Sequence, residues 1–173
     1  IVPIYKTDDE KGGVLAAAKR IQAELTAVGV RVKLDDREKL TPGFKFNDWE
    51  QRGVPLRIEL GPKDLANNSV AIARRDIPGR EGKQFVPQAG LDQLVPTLLD
   101  EIHNALFNRA LAFREANTSE PTTYDAFKTA VSTGFARVWW AGDRADEDKI
   151  QEETKATIRC IPMEQPGGTG TCF

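Results

Sequence analysis

The order of elements in the first 34 residues constrains the fold more tightly than composition does. "IVPIY" (Ile1–Tyr5) is a short apolar run that reads as a buried strand, with Pro3 marking an edge or a bulge. In "GVLAAAKRIQAELTAVG", Val14, Ala18, Ile21, Leu25 and Val28 recur at helical spacing, and Gly29 supplies the stop. "VRVKL" (Val30–Leu34) then alternates apolar and basic residues, as a half-exposed strand does. Strand, helix and strand in this order form a βαβ unit, whose crossover is almost always right-handed.

The next segment, "DDREKLTPGFKFNDWEQRG", begins as a loop and becomes a short helix. Thr41 is placed to cap it, Pro42 suits its first position, and Gly53 ends it. "VPLRIEL" follows with Val54, Leu56, Ile58 and Leu60 inward and Pro55, Arg57 and Glu59 outward. A Gly61-Pro62 turn and "VAIARR" come next, then "DIPGREGK" as a loop tip or hairpin leading to "QFVPQ". Residues 91–116 give the strongest helix signal: Leu91, Leu94, Val95, Leu98, Leu99, Ile102, Leu106 and Phe113 make a broad apolar stripe, with Pro96 in or near the first turn. Beyond it, a helix is expected to carry Tyr124, Phe127, Val131, Phe135 and Val138 on one face. An acidic stretch, "AGDRADEDKIQEE", a strand "TKATIRC" and a Gly-rich end complete the chain.

Composition excludes several classes. With 40% hydrophobic and 29% charged residues the chain is not a disordered tail. No apolar run approaches the roughly 18 residues of a membrane span. Cys160 and Cys172 make no disulfide framework and fit a reducing cytosol. Without an initiator Met, and ending on "GTCF", the sequence reads as a piece of a larger protein. Net charge is only −2, so a polyanion partner would need a local basic patch. Residues 44–83 carry eight Lys/Arg against six Asp/Glu, whereas residues 116–173 carry six against nine.

Catalytic and metal chemistry find little support. The single histidine, His103, lies within a long amphipathic helix and reads as a surface or packing residue. Neither "GGV" at Gly12 nor the terminal "GGTG" has the spacing of a phosphate loop. A closed zinc site takes four ligands, and two distant cysteines read as two reduced thiols. Nucleic-acid reading is chemically open. Phe44, Phe46 and Trp49 lie near Lys45, Arg57, Lys63, Arg74, Arg75, Arg80 and Lys83, and unpaired bases are read by stacking plus hydrogen bonds to their edges. Glu59 can accept from base N–H groups. The competing reading is that at least two of the aromatics simply pack a helix on the sheet.

Six stretches carry a resemblance: "IVPIY", "LDDREKLTPGFKFNDWEQRGVPLRIELGPKDL", "VAIARRD" and, further on, "LFNRALAFREANT", "TYDAFKTAVSTGFARVWWAGD" and "IQEETKATIRCIP". Together they resemble the C-terminal part of the prolyl-tRNA synthetase family, archaeal/eukaryotic-like type, over essentially the whole chain. The resemblance implies an α/β fold: a mixed, mostly parallel five-stranded sheet flanked by helices over residues 1–105, the class II anticodon-binding domain. A small α+β domain over 106–173 would follow. It implies tRNA anticodon recognition by a portion that is itself non-catalytic. The class II core, with its ATP and Mg, would lie upstream.

Carried over by position, Glu59, the turn at Lys63 and Asp64, Arg74 and Lys83 are expected to face the anticodon. Arg57 joins this tRNA-binding set, and Lys45 is expected to contact a phosphate. Proline anticodons share two guanines, whose N1–H and N2–H₂ donors suit Glu59 and whose O6 and N7 acceptors suit Lys83 or Arg74. Asp35, Asp36 and Arg37 read as a loop-ordering cluster, and Trp49 as a packing residue. Zinc-binding relatives carry a cysteine pair where this chain has Ala141 and Asp146, so no structural zinc is expected. Trp139, Trp140 and Phe135 are then the candidates to hold the C-terminal domain together. Implied partners are proline tRNA and the parent's own catalytic domain, in a cytoplasmic homodimer away from membranes. The rival is a non-catalytic α/β protein-interaction module that kept the fold and lost tRNA binding. A small flavodoxin-like enzyme would need a phosphate loop.

Overall fold

The computed structural model describes residues 1–165 and 167–172, which divide into two compact units, Ile1–Phe107 and Asn108–Phe173. In the first, a four-stranded sheet has the order β1 (Val2–Pro3), β2 (Leu56–Leu60), β3 (Ser69–Arg74), β4 (Lys83–Pro87). β1 runs parallel to β2, and the β2–β3 and β3–β4 pairs are antiparallel. The α/β class is as expected; the strand count and the mostly parallel sense are not. "DIPGREGK" is a hairpin connection, which joins β3 to β4 antiparallel, and the expected fifth strand at 30–34 makes no ladder.

The reason lies in Pro3. Ile1 N donates to Lys33 O at 2.7 Å and Asp35 N donates to Ile1 O at 2.9 Å, so the segment does run beside β1. The next ladder bond would need the N–H of residue 3, and proline has none. The Asp35 carbonyl accepts instead from Lys45 Nζ, at 3.1 Å. Pro3 therefore sits on the sheet's edge strand, and pairing stops there.

Helix α1 (Asp8–Ala27) starts earlier than its apolar stripe suggests, because Thr7 and Glu10 form a capping box. With α4 (Leu91–Ala116) it covers one face of the sheet. Val14, Ala18, Ile21 and Leu25 from α1 meet Leu91, Val95 and Leu98 from α4 over Ile58, Leu60, Val70 and Ile72. Each fully buried Val, Leu or Ile among them contributes about 1.5–3 kcal/mol of transfer free energy. Helix α2 (Pro42–Gln51) is capped by Thr41 Oγ1, which accepts from Phe44 N at 3.3 Å, with Pro42 at its start as expected. The five-residue α3 (Pro62–Ala66) follows β2 directly.

The second unit has little buried apolar surface. β5 (Thr118–Ser119) and β6 (Phe135–Ala136) form a two-stranded parallel sheet. α5 spans Tyr124–Val131, with Phe127 buried and stacked 5.8 Å from Tyr124. The expected longer helix ends at Val131, and Phe135 and Val138 are exposed. Of the expected core aromatics, Phe135 is 54% and Trp139 38% exposed, so neither anchors a core. The acidic stretch is a helix, α6 (Arg144–Thr154), and residues 155–160 form no strand. Asp143 Oδ1 accepts from Ala145 N and Asp146 N, and Arg144 pairs with Asp148 one turn on. No helix among the described residues is long and apolar enough to cross a membrane.

Candidate nucleic-acid interface

The sheet face opposite α1 and α4 carries the charged constellation. Strand alternation places Arg57 and Glu59 of β2 on this face, Ala71 and Ala73 beside them on β3, and Lys83 and Phe85 beyond on β4. Glu59 is 3% exposed, yet both its carboxylate oxygens are satisfied. Arg57 Nε donates to Oε1 at 3.1 Å and Lys83 Nζ donates to Oε2 at 2.6 Å. Strands two apart stand about 10 Å from each other. The Lys83–Glu59 pair closes because two extended side chains meet over β3, which presents only alanines there. The Arg57 guanidinium also reaches Glu50 at 3.4 Å and lies 4.2 Å from the centre of the Phe46 ring. Phe44, on α2, and Phe85 are 55% and 70% exposed. Of the three α2 aromatics, Phe46 and Trp49 are thus the ones engaged.

A second network ties α2 to the loop that carries Asp35 and Arg37. Asp35 is buried and accepts from Arg37 Nε at 2.9 Å, Arg37 Nη2 at 2.8 Å and Trp49 Nε1 at 2.7 Å. Arg37 also donates to Asp48 at 2.8 Å, and Asp48 accepts from Arg52 at 2.9 Å. The Arg37 guanidinium, against the opposing effect of burial, holds the Asp35 carboxyl well below the usual carboxylate range. Trp49 Nε1–H and the Lys45 ammonium act in the same direction. Asp35 and Arg37 order the loop as expected, whereas Asp36 is exposed and makes no hydrogen bond or ion pair among the described residues; Trp49 adds a hydrogen bond to its packing role.

The other expected site residues divide. Lys63 is exposed on α3 and its side chain makes no hydrogen bond or ion pair among the described residues. Asp64 Oδ2 accepts from Gly61 N at 2.8 Å and so anchors the start of α3. Arg74 lies on the opposite face of β3 from Glu59. It donates to both oxygens of Asp76, at 3.1 and 2.9 Å, and to Glu101 of α4 at 2.7 Å. Asp76 above all raises its pKa, with Glu101 adding to the effect. Arg74 is therefore a helix-to-sheet clamp and does not join the Glu59 face. Lys45 is another correction: its side chain is 5% exposed and held on Asp35, which leaves no ammonium for a phosphate.

Two residues on the charged face have no anticodon role from sequence, Arg75 being named only among the nearby basic residues. Arg75, exposed, lines a shallow cleft with Trp49, Glu50, Arg57 and Ala73. Strand parity could have found it, since residue 75 follows 71 and 73. Phe85, in register with Ala71 as Glu59 is, could have been found once the β3–β4 hairpin was placed.

His103 is exposed on α4. Among the described residues no group of three or more His, Cys, Asp or Glu side chains is placed to hold a metal ion. Cys172 lies beside Trp139, and its Sγ accepts from Ala141 N at 3.2 Å. The nearby Asp146 closes the α6 capping box.

A family model described as the anticodon binding domain matches residues 1–100, and one described as prolyl-tRNA synthetase, C-terminal, matches residues 124–173. A protein of Chloroflexus aurantiacus named proline–tRNA ligase is 58% identical over 172 residues, covering 99% of this chain and 36% of the relative. One of the same name from Roseiflexus castenholzii is 58% identical over 173 residues, 36% of its length. The chloroplastic/mitochondrial proline–tRNA ligase of Arabidopsis thaliana is 50% identical over 177 residues, 33% of its length. The chain thus spans about a third of the curated relatives it matches. It belongs to the anticodon-binding domain family, in the form that is joined to a prolyl-tRNA synthetase C-terminal domain.

Proposed function

We propose that this chain is the anticodon-reading portion of a proline–tRNA ligase and that the Glu59 face of its sheet receives the anticodon loop of proline tRNA. The observation that carries the reading is the Arg57–Glu59–Lys83 constellation on the sheet face away from α1 and α4, within a chain of this family. A carboxylate already holding two cationic donors is suited to exchange one of them for the N1–H and N2–H₂ edge of guanine. The Lys83 ammonium released in that exchange donates to O6 or N7. Lys63 and Arg75 supply charge for the phosphates, and Asp64 positions the α3 turn that carries Lys63. Arg74 and Lys45 support the fold behind the face.

The attachment of proline, with ATP and Mg, belongs in this reading to the remaining two thirds of a parent enzyme. That enzyme would be a cytoplasmic homodimer whose catalytic domain is a further partner of this chain. No catalytic group and no zinc are assigned to the chain. The pair of Ala141 and Asp146 offers no thiolate, which is the donor chemistry a structural zinc site needs.

Titrating the chain with tRNA bearing a proline anticodon, and with the same tRNA after replacement of its two guanines, tests the reading at two salt concentrations. A preference for the first RNA is expected. Equal affinity would remove base reading. No binding at low salt would favour a protein-interaction module.

A further inference from the structure

We propose that Phe85 is a stacking platform for one unpaired base of the RNA loop, a role that rests on the reading of this face as an anticodon-binding surface. The ring is 70% exposed on β4, which closes one edge of the sheet. It stands in one row across the strands with Ala71 and Glu59. Its ring contact among the described residues is the Lys83 ammonium, 5.7 Å from the ring centre. That same ammonium is 2.6 Å from Glu59, so carboxylate, cation and aromatic ring follow one another across the face.

The surroundings select the occupant. An apolar protein partner needs a contiguous apolar patch. Phe85 instead has exposed Lys83, Gln84 and Pro87 along its own strand, and in the turn that leads into it exposed Arg75 and Arg80 outnumber exposed Glu81. A single open ring among cations suits a base, with its π face, joined to a phosphate backbone. Phe85 offers no hydrogen-bonding group, so its contribution is tolerant of base identity. It holds a base flat while Glu59 and Lys83 meet a base edge. Discrimination then resides in the charged pair and affinity in the ring.

The experiment uses the whole chain and a stem-loop RNA with the proline anticodon, each loop base being replaced in turn by 2-aminopurine. Stacking on an aromatic ring quenches this probe. The unmodified chain is expected to quench strongly at one loop position. Phe85→Trp should preserve that signal, whereas Phe85→Ala should abolish it and weaken binding about ten-fold or more. Phe85→Leu keeps apolar volume without a π face and should behave like the Ala variant. Thermal unfolding of all three should match the parent chain, because the ring is exposed. Equal affinity and equal quenching for the Ala variant and the parent chain would overturn the stacking role while leaving RNA binding by the face intact. If the parent chain binds no RNA at low salt, the reading of the face and this inference both fall.

Discussion

Lys83 and Glu59 stand on strands that are not neighbours, and their side chains meet at 2.6 Å over the alanines of β3. Glu59 is thereby both buried and doubly neutralised, by Lys83 on one oxygen and Arg57 on the other. Glu59→Ala leaves two cations without their shared partner. We expect a loss of about 2 kcal/mol in urea unfolding. It should also narrow the affinity gap between RNAs with and without the anticodon guanines. An unchanged gap would place the reader elsewhere.

Arg74 and Arg75 are adjacent in sequence and opposite in role. Arg74→Ala removes a clamp on Asp76 and Glu101 and is expected to cost about 1–3 kcal/mol of stability, with RNA affinity of the folded protein unchanged. Arg75→Ala should leave stability within about 0.5 kcal/mol. It should weaken RNA binding across sequences and reduce the salt slope by about 1. Chemical denaturation and a salt titration of each variant check the pair.

The two lysines Lys45 and Lys63 make the same contrast by burial. Lys45→Met removes the donor to the Asp35 carbonyl and should lower the unfolding midpoint without changing the salt slope. Lys63→Ala should do the reverse, because its ammonium has no partner among the described residues and stands in solvent. A reduced salt slope for the Lys45 variant would restore it as a phosphate contact.

Asp35 contributes to the acid sensitivity of the first unit. Its folded pKa lies below the ordinary value, chiefly through Arg37. The stability it contributes is therefore fully present above the unfolded carboxylate pKa of about 3.9 and is lost as pH falls toward the folded value. Thermal midpoints should be flat from about pH 5 to 8 with respect to this group and fall below about pH 4. Asp35→Asn should lower the midpoint at neutral pH and flatten the acid fall. Asp35→Ala is expected to cost about 3–5 kcal/mol at pH 7.

Much of this architecture was legible wherever one face of an element is buried. The 91–116 helix and the alternation of β2 follow directly from such patterns, and Thr41-Pro42 marked the start of α2. Three features escaped for different physical reasons. The fifth strand was stopped by a missing N–H at Pro3, which matters only once its pairing partner is known. Helix α6 has few apolar residues and is set by its Asp143–Asp146 cap and one Arg144–Asp148 pair, a signal that a periodicity reading passes over. The resemblance assigns Arg74 to the anticodon face by its position, although the alternation of β3 puts it on the other face from Arg75. The register with β2 assigns the faces, placing Arg74 opposite Leu56 and Ala73 opposite Arg57.

The central claim is that the outward face of β2, β3 and β4 is the RNA-binding surface. Amide chemical shifts of the whole chain, followed while the proline-anticodon stem-loop is added, test it most directly. The account predicts the largest changes at residues 57–59, 63–64, 71–75 and 83–85, with α1 and α5 little affected. Changes confined to residues 124–172, or absent from the three strands, would contradict it.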